Sequence, residues 1–341
     1  MRGAALLLAV LALSGCGNLG YYWQSVGGQL QIWQREVPIE RILADPAVDE
    51  KTRAQLERAL RIRDYASREL GLPDNRSYRS YADLARPFVV WNVFAAPEFS
   101  TEPTQWCYPI AGCVSYRGYF REEAAQRFAA ELTGKGLDVY SGGVDAYSTL
   151  GWFDDPLTSA VLRRPDHRLV ALLFHELAHQ RLYLPGDTMF NESFATFVER
   201  EGLRRWLERH PQGGLGEQMA QENRMQEAFV ALVTTHRDAL KSLYAQVLTT
   251  EEKRAGKQAV QDAMRAEYAQ LRETWGYNGY DRWFAGPLNN AQLATVASYN
   301  VLVPFFEGML AEADGDLARF YLEVEAIMKL PAAERERLLP R

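Results

Sequence analysis

Apolar residues recur at helical spacing between residues 55 and 70, and Gly71 and Pro73 follow directly. Because glycine and proline commonly end helices, this pattern predicts a helix that stops before Gly71. We expect the first 80 residues to be mainly helical. From residue 168 onward nearly every segment has the helical period again, with breaks at glycine- or proline-containing positions 185–186, 211–216, 276–279 and 287. The chain should therefore end in a long helical half.

Short runs with the character of β-strands lie between the helical regions. They are β-branched and aromatic, or alternate in polarity, and occupy residues 88–94, 114–120, 138–140 and 144–150. A helix is predicted among them at residues 122–135, and Gly142 and Gly143 separate the last two strand candidates. Taken together, the pattern predicts an α+β fold that is predominantly helical, with a small, mostly antiparallel sheet before the helical C-terminal half.

The N-terminus has the features of a secretory signal. Arg2 is followed by the apolar stretch 4–13, which is too short to cross a bilayer as a mature helix. The stretch runs into LSGC, ending at Cys16, which resembles the lipobox of bacterial lipoproteins. The resemblance implies removal of residues 1–15 and lipid on the Cys16 sulfur; an ordinary signal peptide with a chance cysteine is the alternative. We expect a protein tethered to a membrane by that lipid.

No later run approaches the roughly 18 consecutive apolar positions of a transmembrane helix. The rest of the chain is therefore expected in the bacterial cell envelope, facing the periplasm. Gly17 is not the aspartate that retains many such lipoproteins in the inner membrane, so we expect the outer membrane in a Gram-negative host. After the signal peptide 1–15, the predicted organisation is a mostly helical region at 16–87, a core at 88–210 and a helical region packing on the core at 211–341.

Charge argues against one class of partner, and the cysteine spacing predicts a disulfide. Lys and Arg number 38 against 44 Asp and Glu, and there is no basic block, so we expect no nucleic acid partner. Five residues separate Cys107 from Cys113, and they include Pro109 and Gly112, so this segment can fold back and close a small disulfide loop in an oxidising compartment. Half of a metal site is the competing interpretation, but no second pair of cysteines exists to complete it.

The strongest chemical signal is HELAHQ, which begins at His175. His175 and His179 stand four residues apart on a predicted apolar helix, so both imidazoles project from one face and can converge on one metal ion. Glu176 lies between them, within reach of a water on that metal. A solvent-facing polar helix is the alternative, but the flanking VALLF and LA favour a buried helix, where unpartnered His and Glu would be costly.

A second block, NESFATFVE from residue 191, follows the turn at 185–186. HELAHQ followed by NESFA resembles the aminopeptidase N-like gluzincins, and the resemblance implies that Glu192 is the third zinc ligand. Only twelve residues separate His179 from Glu192, fewer than is usual in that group, so the connection must be tight. On spacing alone Glu199 competes as ligand; if Glu192 binds, Glu199 and Thr196 become candidates to hydrogen-bond the ligating imidazoles.

Together with the lipobox and the CYPIAGCVSYRGYF segment, these blocks resemble a family of bacterial lipoproteins predicted to be aminopeptidases. The resemblance implies a zincin-like catalytic core, one Zn²⁺ per chain and hydrolysis of peptide substrates, with Glu176 as general base. Gluzincins hold substrate along an edge strand before the HExxH helix, here residues 142–148. Their GxMEN motif aligns loosely with GGVDA, which makes Gly143 and Asp145 candidate substrate-binding residues; a simple turn aspartate is the alternative.

The residue that stabilises the oxyanion is the least determined. It is usually a Tyr or His from a later helix, and Tyr299 is the candidate, with rivals at Tyr277, Tyr280 and His236.

Two functions remain possible for the whole chain. One is a zinc peptidase, in the first place an aminopeptidase and otherwise an endopeptidase. The other is a catalytically silent envelope lipoprotein that binds a partner or acts as a scaffold. The presence of Glu176 favours catalysis, because a purely structural zinc site needs no base.

Overall fold

A computed structural model describes residues 20–108, 112–146, 148–211 and 214–339 of the chain. Cys16 and the predicted signal peptide lie outside the described residues. Helices dominate the rest and the sheets are small, so the predicted α+β, predominantly helical class is confirmed.

The described helices are numbered in chain order. They are α1 (20–33), α2 (Ile39–Leu43), α3 (Glu50–Leu70), α4 (Glu122–Gly134), α5 (Ser159–Leu162), α6 (Asp166–Arg181), α7 (Thr188–Arg209), α8 (Leu215–Tyr244), α9 (Thr250–Trp275), α10 (Asp281–Phe284), α11 (Asn290–Asn300), α12 (Val303–Glu312), α13 (Leu317–Met328) and α14 (Ala332–Leu338).

The strands form three small sheets rather than the single sheet that the sequence suggested. They are β1 (Glu36–Pro38), β2 (Ser80–Ala82), β3 (Val90–Pro97), β4 (Trp106–Tyr108), β5 (Gly112–Val114), β6 (Arg117–Tyr119), β7 (Leu137–Val144) and β8 (Leu157–Thr158). One sheet has the order β6-β3-β7 and is antiparallel throughout. Another has the order β1-β2-β8, in which β2 and β8 are parallel. β4 and β5 form an isolated hairpin.

Local signals explain where the helices begin and end. α3 starts earlier than its apolar pattern because the Asp49 side chain caps it, accepting a hydrogen bond from the Thr52 backbone nitrogen at 2.9 Å. It ends as predicted, at Gly71, whose φ of 65° is a conformation that glycine adopts without strain. α4 ends one residue before its predicted limit.

Two strand predictions were wrong in detail. Gly142 and Gly143 do not divide two strands, because β7 continues through both, pairing with β3. Gly143 is small for a packing reason, since a Cβ there would overlap the Phe88 ring. The predicted strand at 114–120 is instead the end of β5 and all of β6, with a break between them.

α6 and α7 form an antiparallel hairpin at the centre of the main core. Around them pack α3, α12 and α13. The aromatic side chains that α6, α7, α12 and α13 contribute to this core are almost fully buried: Phe174, Phe190, Phe194, Phe306, Phe320 and Tyr321. By length and composition the stretch Asn290–Glu312 could cross a membrane, but half of its apolar window is buried. It comprises α11 and α12, which pack on α7 and the sheet, so we assign it to the core.

Candidate metal centre

α6 carries the HExxH motif into the interior. His175, Glu176 and His179 expose only 8%, 9% and 7% of their surface, so the motif lies on a buried helix and not on a solvated one. Their spacing places the two imidazole rings on one face, 4.9 Å apart between centroids. The helix ends two residues after His179, and the chain turns into the connection to α7.

The connection is tight because two side chains brace it. The Asp187 carboxylate caps α7, accepting a hydrogen bond from the Phe190 backbone nitrogen at 3.0 Å. The Asn191 side chain bridges back to Leu184, accepting from its backbone nitrogen at 2.7 Å and donating to its carbonyl oxygen at 2.8 Å. This clamp fixes the first turn of α7 against the end of α6. The neighbouring residue, Glu192, is thereby directed at the two histidines.

Three buried ligand atoms converge as a result. The Glu192 Oε2 atom lies 3.4 Å from His175 Nε2 and 3.6 Å from His179 Nε2, and the three ligand atoms are all within 4.8 Å of one another. Around a tetrahedral zinc ion with bonds of about 2.0–2.1 Å, neighbouring ligand atoms are about 3.4 Å apart. Glu192 Oε2 is buried and has no hydrogen-bond partner among the described residues. A metal ion fits this donor set and would satisfy that oxygen.

The pKa shifts in the site arise because five ionisable side chains pack together there. Burial alone would raise the pKa of Glu192, but the adjacent histidines hold it well below its usual range. Burial would lower the pKa of His175, yet Glu192, Glu199 and Glu176 raise it well above its usual value. Burial raises the pKa of the Glu176 carboxyl, while the two histidines oppose that rise. Glu176 is therefore shifted in the direction expected of a group that exchanges protons near neutral pH.

Glu199 lies behind His175 and does not converge with the ligand atoms. Its Oε2 atom is 3.0 Å from His175 Nδ1, while Nε2 of the same ring faces Glu192. If Nε2 binds a metal, the Nδ1–H group donates to Glu199 and fixes the orientation of the ring. Thr196 is also buried, but within the described part of the chain no hydrogen bond joins it to either histidine.

The structure brings Tyr299 to the site. α11 packs on α7, β3 and β7, and the Tyr299 ring stacks on His175 with centroids 6.1 Å apart. Burial, Glu192, Tyr116 and Glu176 raise the pKa of Tyr299 well above its usual value, so its hydroxyl group keeps its proton. The rivals have partners elsewhere: Tyr280 donates to Gln226, and His236 lies beside Leu232 and Glu267. Tyr277 is 42% exposed.

The predicted substrate-binding strand lies where the resemblance implies, but the predicted substrate-binding acid, Asp145, already has a partner. Among the described strands, β7 forms one edge of the sheet β6-β3-β7 and precedes α6, as the gluzincin resemblance implies. Gly143 lies in this strand, opposite Trp91. Asp145 follows the strand, and its carboxylate already forms an ion pair with Arg164. An ammonium group that binds Asp145 would therefore share this carboxylate with Arg164 or displace it.

Sequence reasoning did not single out two neighbours of the site, Tyr183 and Asp155. The Tyr183 ring lies 6.4 Å from that of His179, and burial together with Glu192 raises its pKa to about 12. Asp155 is buried and lies 3.4 Å from the Gln180 amide nitrogen. Only Tyr183, four residues after His179, had a spacing that could have revealed it.

The disulfide segment forms a further part of the surroundings. Cys107 and Cys113 are bonded to each other and close the β4–β5 hairpin. Gly112 in this hairpin has φ of 72°, and a Cβ there would overlap the backbone of Gly186 between α6 and α7. The Ser115 backbone nitrogen donates to the Thr188 hydroxyl group at 3.3 Å. The hairpin therefore buttresses the connection that positions Glu192.

Comparison with known proteins gives one match. A family model described as Putative aminopeptidase matches residues 20–339, which include α6, α7 and α11. No curated protein and no solved structure matches the chain.

Proposed function

Since the chain belongs to the family described as Putative aminopeptidase, we propose that it is a zinc-dependent peptidase, and specifically an aminopeptidase. His175, His179 and Glu192 would hold one zinc ion. The observation that carries the proposal is the convergence of their three buried ligand atoms, in which Glu192 Oε2 lies from each histidine Nε2 at a separation close to that around tetrahedral zinc. The resemblance of the two sequence blocks to gluzincins supports the same conclusion, and we propose a zincin-like core with it.

Each side chain of the site would have a separate role in peptide hydrolysis. A bound zinc ion would polarise the scissile carbonyl group and acidify a water molecule. Glu176 would take the proton of the attacking water and pass it to the leaving amine, a task suited to its buried position and raised pKa. The protonated Tyr299 hydroxyl group would donate a hydrogen bond to the developing oxyanion. Glu199 would keep the His175 ring in place.

The test separates metal binding from catalysis. Glu176→Gln preserves the shape of the side chain and all three ligands but removes the proton acceptor. We expect the variant to keep its zinc content and fold while its peptidase rate falls by roughly 10² to 10⁴. Glu57→Gln is the matched control, because Glu57 is exposed on α3. Full activity in Glu176→Gln would refute the mechanism.

A peptide panel distinguishes the alternatives. An aminopeptidase should cleave peptides with a free amino terminus and act poorly on their N-acetylated forms. Equal cleavage of both would identify an endopeptidase. Zinc-loaded wild-type protein that cleaves no peptide would favour the catalytically silent binding or scaffold protein.

The zinc content of two variants tests the third ligand. Loss of zinc in Glu199→Gln but not in Glu192→Gln would assign the third ligand to Glu199.

We also propose that lipid on Cys16 anchors the protein to the periplasmic face of a bacterial membrane, in a Gram-negative host the outer membrane. The proposal rests on the lipobox resemblance of LSGC. Radiolabelled palmitate should be incorporated into the wild type and not into Cys16→Ser. An unlabelled wild-type chain would overturn the anchor without affecting the proposed peptidase activity.

A further inference from the structure

Exposed apolar side chains concentrate in one region of the surface. We define the interfacial patch as six of them, in α1 and in the turn before β8: Tyr22, Trp23, Val26, Leu30, Trp152 and Phe153. Trp23 is 79% exposed and Trp152 is 65% exposed, values unusual for the largest apolar side chain. The Trp33 ring joins the two parts, since it lies 4.9 Å from the ring of Phe153. Such a concentration of exposed apolar side chains marks an interaction surface.

The opposite face of α1 is fixed to the protein, so the patch is held outward. The Gln24 side chain accepts a hydrogen bond from the Phe120 backbone nitrogen at 3.1 Å and donates to the Gly118 carbonyl oxygen at 3.3 Å. Gly28 lies against the Phe120 ring with no room for a Cβ, and Ile32 is 2% exposed. These contacts occupy positions 24, 28 and 32, one helix face, whereas Tyr22, Val26 and Leu30 repeat on another.

The composition of α1 suits the surface of a lipid bilayer. Residues 20–34 contain no charged side chain, and the first charge is Arg35. Tryptophan and tyrosine favour the boundary between headgroups and acyl chains, because their rings are apolar and their N–H or O–H groups can remain hydrated. A helix without charges attaches by burial of apolar area rather than by attraction to anionic lipids.

The short distance in sequence between Cys16 and α1 indicates what the interfacial patch contacts. Only residues 17–19 separate α1 from Cys16, and a segment of that length spans at most about 15 Å. We propose that the interfacial patch lies in the headgroup region of the same membrane that holds the lipid anchor; this rests on the proposed lipidation of Cys16. The lipid would then hold the protein at the membrane, and the patch would add buried apolar area and fix the orientation of the protein body.

This orientation brings the catalytic helix close to the membrane. The turn that carries Trp152 and Phe153 touches the end of α6, where a Cβ on Gly151 would lie 3.7 Å from the Gln180 side chain. Gln180 directly follows His179. A docked patch would therefore place the end of the metal-binding helix beside the bilayer surface, with the protein body held in one orientation rather than swinging on its tether.

The test uses the purified, lipidated mature chain, which begins at Cys16, in vesicles of phosphatidylethanolamine and phosphatidylglycerol with brominated acyl chains, which quench nearby tryptophan. Trp23 and Trp152 are two of the 8 tryptophans, so we expect loss of up to about a quarter of the emission. Val26→Glu/Leu30→Glu keeps both tryptophans but puts two charges on the patch, and quenching should fall at least about threefold. Added salt should leave wild-type quenching unchanged.

The matched control is Val247→Glu/Leu322→Glu, which alters exposed apolar residues outside the patch and should quench like the wild type. Co-sedimentation with vesicles measures the lipid anchor separately. Wild-type protein that sediments without quenching would overturn the docked patch and leave the anchor intact, whereas failure to sediment would refute both. A detergent-solubilised dimer that dissociates in Val26→Glu/Leu30→Glu would assign the patch to a second copy of the chain and overturn the membrane assignment.

Discussion

Asp155 is a buried carboxylic acid beside α6, the helix that carries the HExxH motif, and replacing it with asparagine should change how stability depends on pH. The residue is 2% exposed, and within the described ranges no lysine, arginine or histidine forms an ion pair with it. Its Oδ2 atom accepts hydrogen bonds from the Thr149 backbone nitrogen at 2.9 Å and from Gln180 at 3.4 Å. Burial, opposed by hydrogen bonds from Thr149 and reinforced by Glu176, raises its pKa to about 7.

The sign and size of the effect follow from linkage. In the unfolded chain the acid ionises near its ordinary pKa of 3.8, whereas in the folded protein it ionises at about 7. The stability it contributes is therefore fully present below about pH 4 and is lost as pH rises to about 7, since only the folded state still holds the proton in that window. About three pH units at roughly 1.4 kcal/mol each give a loss of about 4 kcal/mol.

Urea unfolding of the metal-free protein between about pH 4 and pH 8 measures this loss. The free energy of unfolding of the wild type should fall with pH by about 4 kcal/mol more than that of Asp155→Asn, which cannot ionise. Asp154→Asn is the control, because Asp154 is exposed and adjacent, and it should follow the wild type. Identical pH dependence in the wild type and Asp155→Asn would show that the buried acid does not hold its proton.

Three further changes test the surroundings of the candidate metal centre. Glu199→Gln removes the carboxylate behind His175, so zinc affinity measured by competition with a chelator should fall by about 10- to 100-fold. Tyr299→Phe should lower kcat by roughly 10² to 10³ in steady-state assays with zinc content unchanged, because it removes only the proposed oxyanion donor; an unaltered kcat would exclude Tyr299. Gly112→Ala should lower the free energy of unfolding by about 1–3 kcal/mol more than Gly136→Ala, which has a similar φ of 78° but open space around it.

The parts of the molecule that sequence could predict are those set by local pattern. Helical spacing and the flanking glycine and proline give the end of α3, and the HExxH spacing places His175 and His179 on one helix face. Glu192 was inferred from a second block that resembles a known one, and the structure supplies its physical basis in the Asn191 clamp. These features depend on contacts between residues close in the chain.

The remaining features depend on contacts between distant segments. Nothing in the local sequence of α11 distinguishes Tyr299 from its rivals, because its position follows from the docking of α11 on α7 and the sheet. The continuity of β7 through Gly142 and Gly143 depends on pairing with β3 and on the Phe88 ring. Likewise, Asp155 becomes a buried acid only when its turn packs under α6.

The proposed metal ligands and Glu176 all come from one helical hairpin, whereas Tyr299 lies about a hundred residues further along the chain. The entropy lost on closing a loop grows with the logarithm of the number of residues in it. Bringing the ligand atoms of the hairpin together therefore costs less conformational entropy than bringing Tyr299 to them. Local unfolding that releases α11 would remove Tyr299 and leave the ligand set in place. If the proposed function holds, metal content would measure the integrity of the hairpin, and turnover would measure the integrity of the whole chain.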